Sequence, residues 1–296
     1  MSEIRSHNSE YDSSDKHVAD LVKREFNRRR LLSVGLWGAF SAIEATTQYG
    51  HDAELRRQRT QVNIEELNDP ETRIIHPHTS SLYFPGLNNS WDQCKNSLEA
   101  VQPSLRQIGR MARVGYSNKG FDEDEVFSTS LQYCRDNNIS TLHLIGESFS
   151  GIVAAKLTPR FAAAGIDVPA IFLLSSPTGP EDVVQQLQYK CMVISYELGI
   201  TMPEFLRLAG QETQDLFKMD GRSPWDVISQ AYEQVGPTAC SPVLVQSSLS
   251  YIEHAHIEML DGQLGNTRLA YFGNQSDTVV HFNQAVHNWQ TKLPSH

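Results

Sequence analysis

The residue best placed to do chemistry is Ser148. It lies in Leu142-His143-Leu144-Ile145-Gly146-Glu147-Ser148-Phe149-Ser150-Gly151-Ile152-Val153-Ala154-Ala155. A short apolar run ends in a glycine, small residues follow, and a stretch of helical character comes next. That order predicts a strand, a sharp turn and a helix, with a hydroxyl at the apex. A serine hydroxyl is a weak nucleophile until a neighbouring base takes its proton. A plainer reading of the same residues is an ordinary strand-to-helix loop in which a serine caps the helix.

The stretch resembles the nucleophile elbow of the α/β-hydrolase family, Gly-x-Ser-x-Gly. In such a turn the strand and helix pass close together, so the flanking residues must be small. The resemblance implies that Ser148 attacks a carbonyl and that the Phe149 amide, near a helix N-terminus, faces the oxyanion. One position departs from the pattern: Ser150 stands where the second glycine would be, and a glycine follows at Gly151.

Two further places extend the resemblance over about residues 74–296, and at a third, the C-terminal end, the family's usual last strand and histidine are missing. The strand Ser80-Ser81-Leu82-Tyr83-Phe84 leads into Pro85-Gly86-Leu87-Asn88-Asn89-Ser90. In the family such a loop supplies a second oxyanion amide, by position that of Leu87. A Pro-Gly turn with no catalytic duty is the plainer reading. Thr267 to Gly273 reads as a strand, and Asp277 follows it in a Gly-x-x-x-Asp-x-x-Val setting. The resemblance makes Asp277 the acid that orients a catalytic imidazole; a capping aspartate is the plainer reading. The family then calls for a helix, one more strand and a histidine. Here a helix over about 281–293 is followed by Pro294-Ser295-His296. That helix would carry His296 roughly 20 Å back along the sheet. His287 is expected to face solvent or sheet. His281, one turn after Asp277, is left as the candidate base.

The activity this implies is a serine hydrolase, an esterase or lipase working through an acyl-enzyme on a small-molecule acyl substrate of apolar character, with no cofactor. A peptidase or thioesterase would use the same residues. The reading from a different class is a hydrolase-fold protein that binds a ligand or partner without catalysis.

The elements that must hold these residues alternate between strand and helix. Leu98, Val101, Leu105 and Ile108 recur at helical spacing, Met111 to Tyr116 is a strand, and Asp122 to Asn137 is a helix with an acidic first turn. Ser140 to Ile145, Ile152 to Ala164 and Pro169 to Pro177 repeat the alternation. The expected fold is α/β: a doubly wound, mostly parallel sheet with a helical cap insertion. Ligands bind such sheets at the carboxyl ends of the strands, where Phe84-Pro85-Gly86, Ser148 and Ser175-Ser176-Pro177 all fall. From about 179 to 262 apolar residues recur only at helical spacing, which marks the cap. Tyr189, Met192, Ile194, Phe205, Leu208, Phe217, Met219 and Trp225 would line an acyl pocket or, for most of them, form the cap's own core. The expected organisation is an N-terminal arm over 1–72, core over 73–178, cap over 179–262 and the last core segment over 263–296.

The formal net charge of −10 argues against a nucleic-acid partner. Cys94, Cys134, Cys191 and Cys240 are widely spaced and form no zinc pattern. His254 and His256 are two apart and cannot face one metal on a helix. Residues 1–27 are polar, a composition of weak order. The basic cluster from Lys23 to Arg30 runs straight into the apolar stretch Leu31 to Ile43. That layout suits a signal or anchor, with membrane association through residues 28–45 and a membrane-associated or exported location. The run is shorter than the ~20 residues a bilayer needs. A packed helix in a cytoplasmic protein is therefore the competing expectation. Residues 44–72 read as a polar helical stalk or linker.

Overall fold

Strands that carry apolar residues on both faces need cover on both faces, and the sheet is built that way. A computed structural model describes residues 59–67, 70–87, 98–99, 102–103, 105–200 and 241–296. The chain divides into two units, Met1–His51 and Asp52–His296, and the described residues belong to the second. The segment 28–45, the loop residues 88–90, the cap residues 201–240 with Phe205, Leu208, Phe217, Met219 and Trp225, and Cys94 and Cys240 lie outside the described residues. Among those described, no helix is long and apolar enough to cross a membrane.

The strands are β1 (Asn63–Glu66), β2 (Thr79–Phe84), β3 (Arg110–Gly115), β4 (Thr141–Glu147), β5 (Asp167–Leu174) and β6 (Arg268–Phe272). Their order in the sheet is β1-β3-β2-β4-β5-β6. β2 to β6 are parallel, and β1 runs antiparallel to β3. β4 is central, between β2 and β5, so the turn after it opens at the middle of the carboxyl edge. Every residue of β3 is buried, as expected of a parallel strand covered on both faces. Leu82, Phe84, Leu142, Leu144, Ile171 and Leu173 are almost wholly inaccessible. Each such side chain contributes about 1.5–3 kcal/mol by leaving water. This is the mostly parallel α/β sheet that the alternation of elements implied.

The helices are α1 (Pro70–Ile75), α2 (Glu123–Asp136), α3 (Ser150–Ala163), α4 (Gln186–Glu197), α5 (Pro242–Glu253) and α6 (Phe282–Lys292). The acidic start of α2 is capped by Asp122, whose side chain accepts from the Asp124 and Glu125 amides. α4 and α5 belong to the segment expected as cap. Tyr189 and Met192 of α4 are buried, in keeping with a core role, whereas Ile194 is 49% exposed.

The stalk expected over 44–72 is corrected at its end. Residues 63–66 form an edge strand, and 70–75 form a short helix. The polar run pairs because distant arginines neutralise it. Arg110 clasps Glu66 with Nε at 3.0 Å and Nη2 at 2.5 Å, and Arg113 pairs with Glu65. Arg73 adds a third contact to Glu66 at 2.8 Å.

Candidate active site

β4 ends at Glu147 and α3 begins at Ser150, so Ser148 and Phe149 alone make the turn. Ser148 has φ of 53°. That left-handed conformation costs a residue with a Cβ about 1–2 kcal/mol. Strain of this kind persists where the surroundings over-determine it, and here two hydrogen bonds do so. The Ser148 amide donates to the Leu174 carbonyl at 2.8 Å, and the Gly151 amide donates to the Ser148 carbonyl at 3.0 Å. Ser148 itself is half-buried.

The small residues around it are required by close crossing. A Cβ on Gly146 would lie 2.4 Å from the Ser150 carbonyl oxygen and 2.5 Å from the Gly151 Cα. A Cβ on Gly151 would lie 2.2 Å from Ser176 Oγ. The contact that demands a glycine after the serine therefore falls at 151, and position 150 is free to carry a side chain. Ser150 is fully buried. Its hydroxyl donates to the Pro85 carbonyl at 2.5 Å and lies 2.7 Å from the Tyr116 hydroxyl.

Phe149 is fully buried and backs the turn. Its ring packs on Tyr116 and Phe121, with centroids 5.6 and 5.3 Å away, and Phe121 packs on Tyr251 of α5 at 4.7 Å. Tyr251 donates to Glu123 at 2.6 Å. Burial pushes the Glu123 carboxyl up, but hydrogen bonds from Tyr251 and Lys156 outweigh it and hold the carboxyl below its ordinary range. Burial beside that carboxylate pushes the Tyr251 hydroxyl well up. Through these contacts α5 is seated on the aromatic cluster behind the serine.

The loop after β2 lies against the serine from the other side. A Cβ built on Gly86 would stand 3.5 Å from Ser148 Cβ and 3.3 Å from Glu147 Cδ. The amides of Leu87 and Phe149 donate to no acceptor among the described residues. The structure thus brings Ser148, Phe149 and the Leu87 loop together.

Asp277 and His281 sit on the far side of β5. Asp277 Oδ1 accepts from the Val279 and Val280 amides at 2.8 and 3.1 Å, so it braces its own turn. His281 stands at the N-cap position of α6, where its side chain makes no capping hydrogen bond, and is exposed; its amide donates to the Asp182 carbonyl at 2.8 Å. Among the described residues its imidazole bonds neither Ser148 nor Asp277. β4 and β6 are separated by β5, a span of about 10 Å from strand spacing. His287 and His296 are exposed on and after α6.

Residues beyond those expected also shape the site. Asp182 is fully buried; it accepts from the Thr178 amide and hydroxyl at 2.7 and 2.8 Å and from Asn288 at 2.7 Å. With Trp289 donating to the Ser176 carbonyl at 3.0 Å, it fixes α6 on the end of β5. Ser175, at the end of β5, is a second strained position, with φ of 46°. No sequence pattern distinguishes Asp182, and Ser175 was marked only by its place at the carboxyl end of a strand, not by its strain. Ser150 was marked only by its departure from glycine. Among the described residues no group of three or more His, Cys, Asp and Glu could hold a metal. Cys134 is buried, Cys191 is exposed, and both are free thiols.

No family model matches the chain, and no curated protein matches it. Among solved structures, it is similar to a carboxylesterase of the thaumarchaeon Nitrososphaera gargenis, with 15% identity, TM-score 0.48 and coverage of 79% of this chain and 82% of that one. A hydrolase from Pseudomonas aeruginosa shares 12% identity at TM-score 0.45, over 78% and 93% of the two chains. An esterase from Exiguobacterium antarcticum shares 12% identity at TM-score 0.43, over 78% and 92%.

Proposed function

We propose that this protein is a serine hydrolase that cleaves carboxylic esters of small apolar acyl substrates through an acyl-enzyme on Ser148. The observation that carries the reading is the strained, half-buried serine at the strand-to-helix turn, beside two amides with no acceptor among the described residues. In this reading Ser148 Oγ bonds to the acyl carbon and its proton passes to a base. The Phe149 and Leu87 amides hold the negative oxygen of the tetrahedral intermediate. The alcohol leaves with a proton, and water releases the acid by the same steps. Asp277 would orient the base, with His281 as that base. Reaching Ser148 requires the β6–α6 turn to move, because the observed hydrogen bonds do not join the three residues.

That last fact favours a second reading, a protein of this fold that binds a small ligand beside Ser148 without turnover.

A fluorophosphonate probe separates the two, since it labels only an activated serine. We expect slow labelling of the full chain, abolished by Ser148→Ala and by His281→Ala. Labelling that survives His281→Ala would show another base and end that assignment. A wild-type chain that takes no probe would favour the binding reading.

A further inference from the structure

We infer that Glu147 and Ser150 are positioning residues that lock the Pro85–Gly86 peptide, and so aim the Leu87 amide that follows it at the oxyanion. The inference rests on the reading of Ser148 as nucleophile. A peptide group is planar, with its carbonyl and N–H on opposite edges. Here both edges are held, by residues on either side of the serine. The Pro85 carbonyl accepts from Ser150 Oγ at 2.5 Å, and the Gly86 amide donates to Glu147 Oε2 at 3.3 Å. One such bond would leave the plane free to swing about it; two at opposite edges remove that freedom.

Each clamping group is itself oriented. A serine hydroxyl has a single proton, and that of Ser150 is spent on Pro85. The Tyr116 hydroxyl, 2.7 Å away, must then be the donor to Ser150 Oγ. By occupying a lone pair it turns the Ser150 proton toward Pro85. On the other side Tyr83 donates to the same Glu147 oxygen that receives the Gly86 amide. The clamp needs glycine at 86, because a Cβ there would crowd Glu147 Cδ at 3.3 Å and Ser148 Cβ at 3.5 Å. It also gives a physical role to the serine that stands where the resemblance would put glycine. A glycine at 150 leaves the Pro85 carbonyl without this donor.

Amide hydrogen exchange on the full chain tests the clamp without requiring turnover. Ser150→Ala and Glu147→Ala should each speed exchange at Gly86, whose amide is the one the clamp holds, by about tenfold, the loss of one hydrogen bond. Exchange in α3 should stay as in wild type. Tyr116→Phe, which keeps the Ser150–Pro85 bond, should have a smaller effect. The double variant Ser150→Ala/Tyr116→Phe leaves no hydroxyl stranded and serves if Ser150→Ala alone fails to fold. In parallel, the maximal rate of phosphonate labelling at Ser148 should fall in the same order, with the probe concentration for half-maximal rate unchanged. Unchanged exchange in Ser150→Ala and in the double variant overturns the clamp. Faster exchange with an unchanged labelling rate overturns its positioning role. A wild-type chain that takes no probe instead overturns the reading of Ser148, and the exchange result then decides the clamp alone.

Discussion

The strain at Ser148 can be measured directly as stability. Its φ of 53° places a Cβ in the left-handed region, at a cost of about 1–2 kcal/mol. Glycine adopts that conformation freely but loses about 0.4–1 kcal/mol through its more flexible unfolded chain. Ser148→Gly should therefore stabilise the protein by about 1 kcal/mol. Ser148→Ala keeps the Cβ and the strain, and the Ser148 side chain makes no hydrogen bond among the described residues that alanine would lose. It should leave stability unchanged or slightly lower. Thermal melts of the three full chains, followed by circular dichroism, provide the assay. For a unit of this size 1 kcal/mol moves the midpoint by about 2–4 °C. Both variants remove the hydroxyl, so the difference between them isolates the backbone. An alanine variant as stable as the glycine variant, or a glycine variant below wild type, would refute the strain.

Two further substitutions test the frame around the turn. Gly146→Ala puts a Cβ 2.4 Å from a backbone oxygen that cannot move without shifting α3; we expect a loss of about 3 kcal/mol or more, or failure to fold, read from melts and soluble yield. Glu66 is held by Arg110 and Arg73; burial raises its carboxyl, but their hydrogen bonds outweigh it and place it below the ordinary 4.5. A depressed folded value means the stabilisation is present above the ordinary carboxylate range and is lost as pH falls through the folded value. Glu66→Gln should thus cost about 1.5–3 kcal/mol at neutral pH, since it removes the charge that Arg110 and Arg73 pair with while Arg110 keeps its bonds to Asn137. The gap to wild type should shrink as pH falls below the ordinary carboxylate range and through the lowered folded value, and a gap that ignores pH would refute the linkage.

Much of this molecule was legible in local order. Apolar runs of strand length, each followed by helical spacing, mark β2 to β6 and α2, α3 and α6, because a buried parallel strand and the helix covering it are both dictated by neighbours in sequence. The strand-to-helix turn at Ser148 was legible for the same reason, since Gly146 and Gly151 record a close crossing within a few residues. β1 was not, because Asn63–Glu66 is a polar run by itself. It becomes a strand only through Arg110 and Arg113, more than forty residues away.

The sequence by itself therefore determined the alternating elements and which serine stands at the apex of the central turn. Tertiary structure alone decided what surrounds that serine. Three segments far apart in the chain close on it: the Pro85–Leu87 loop through Ser150 and Glu147, the end of β5 through the Leu174 carbonyl, and α5 through Tyr251. It also decided that Asp277 spends an oxygen on its own turn and that the His281 backbone, at the start of α6, is held by the Asp182 carbonyl. Local order arises from contacts a few residues apart, which periodicity records. Hydrogen bonds and ring contacts across a hundred residues depend on how the sheet brings its edges together, and no short pattern encodes them.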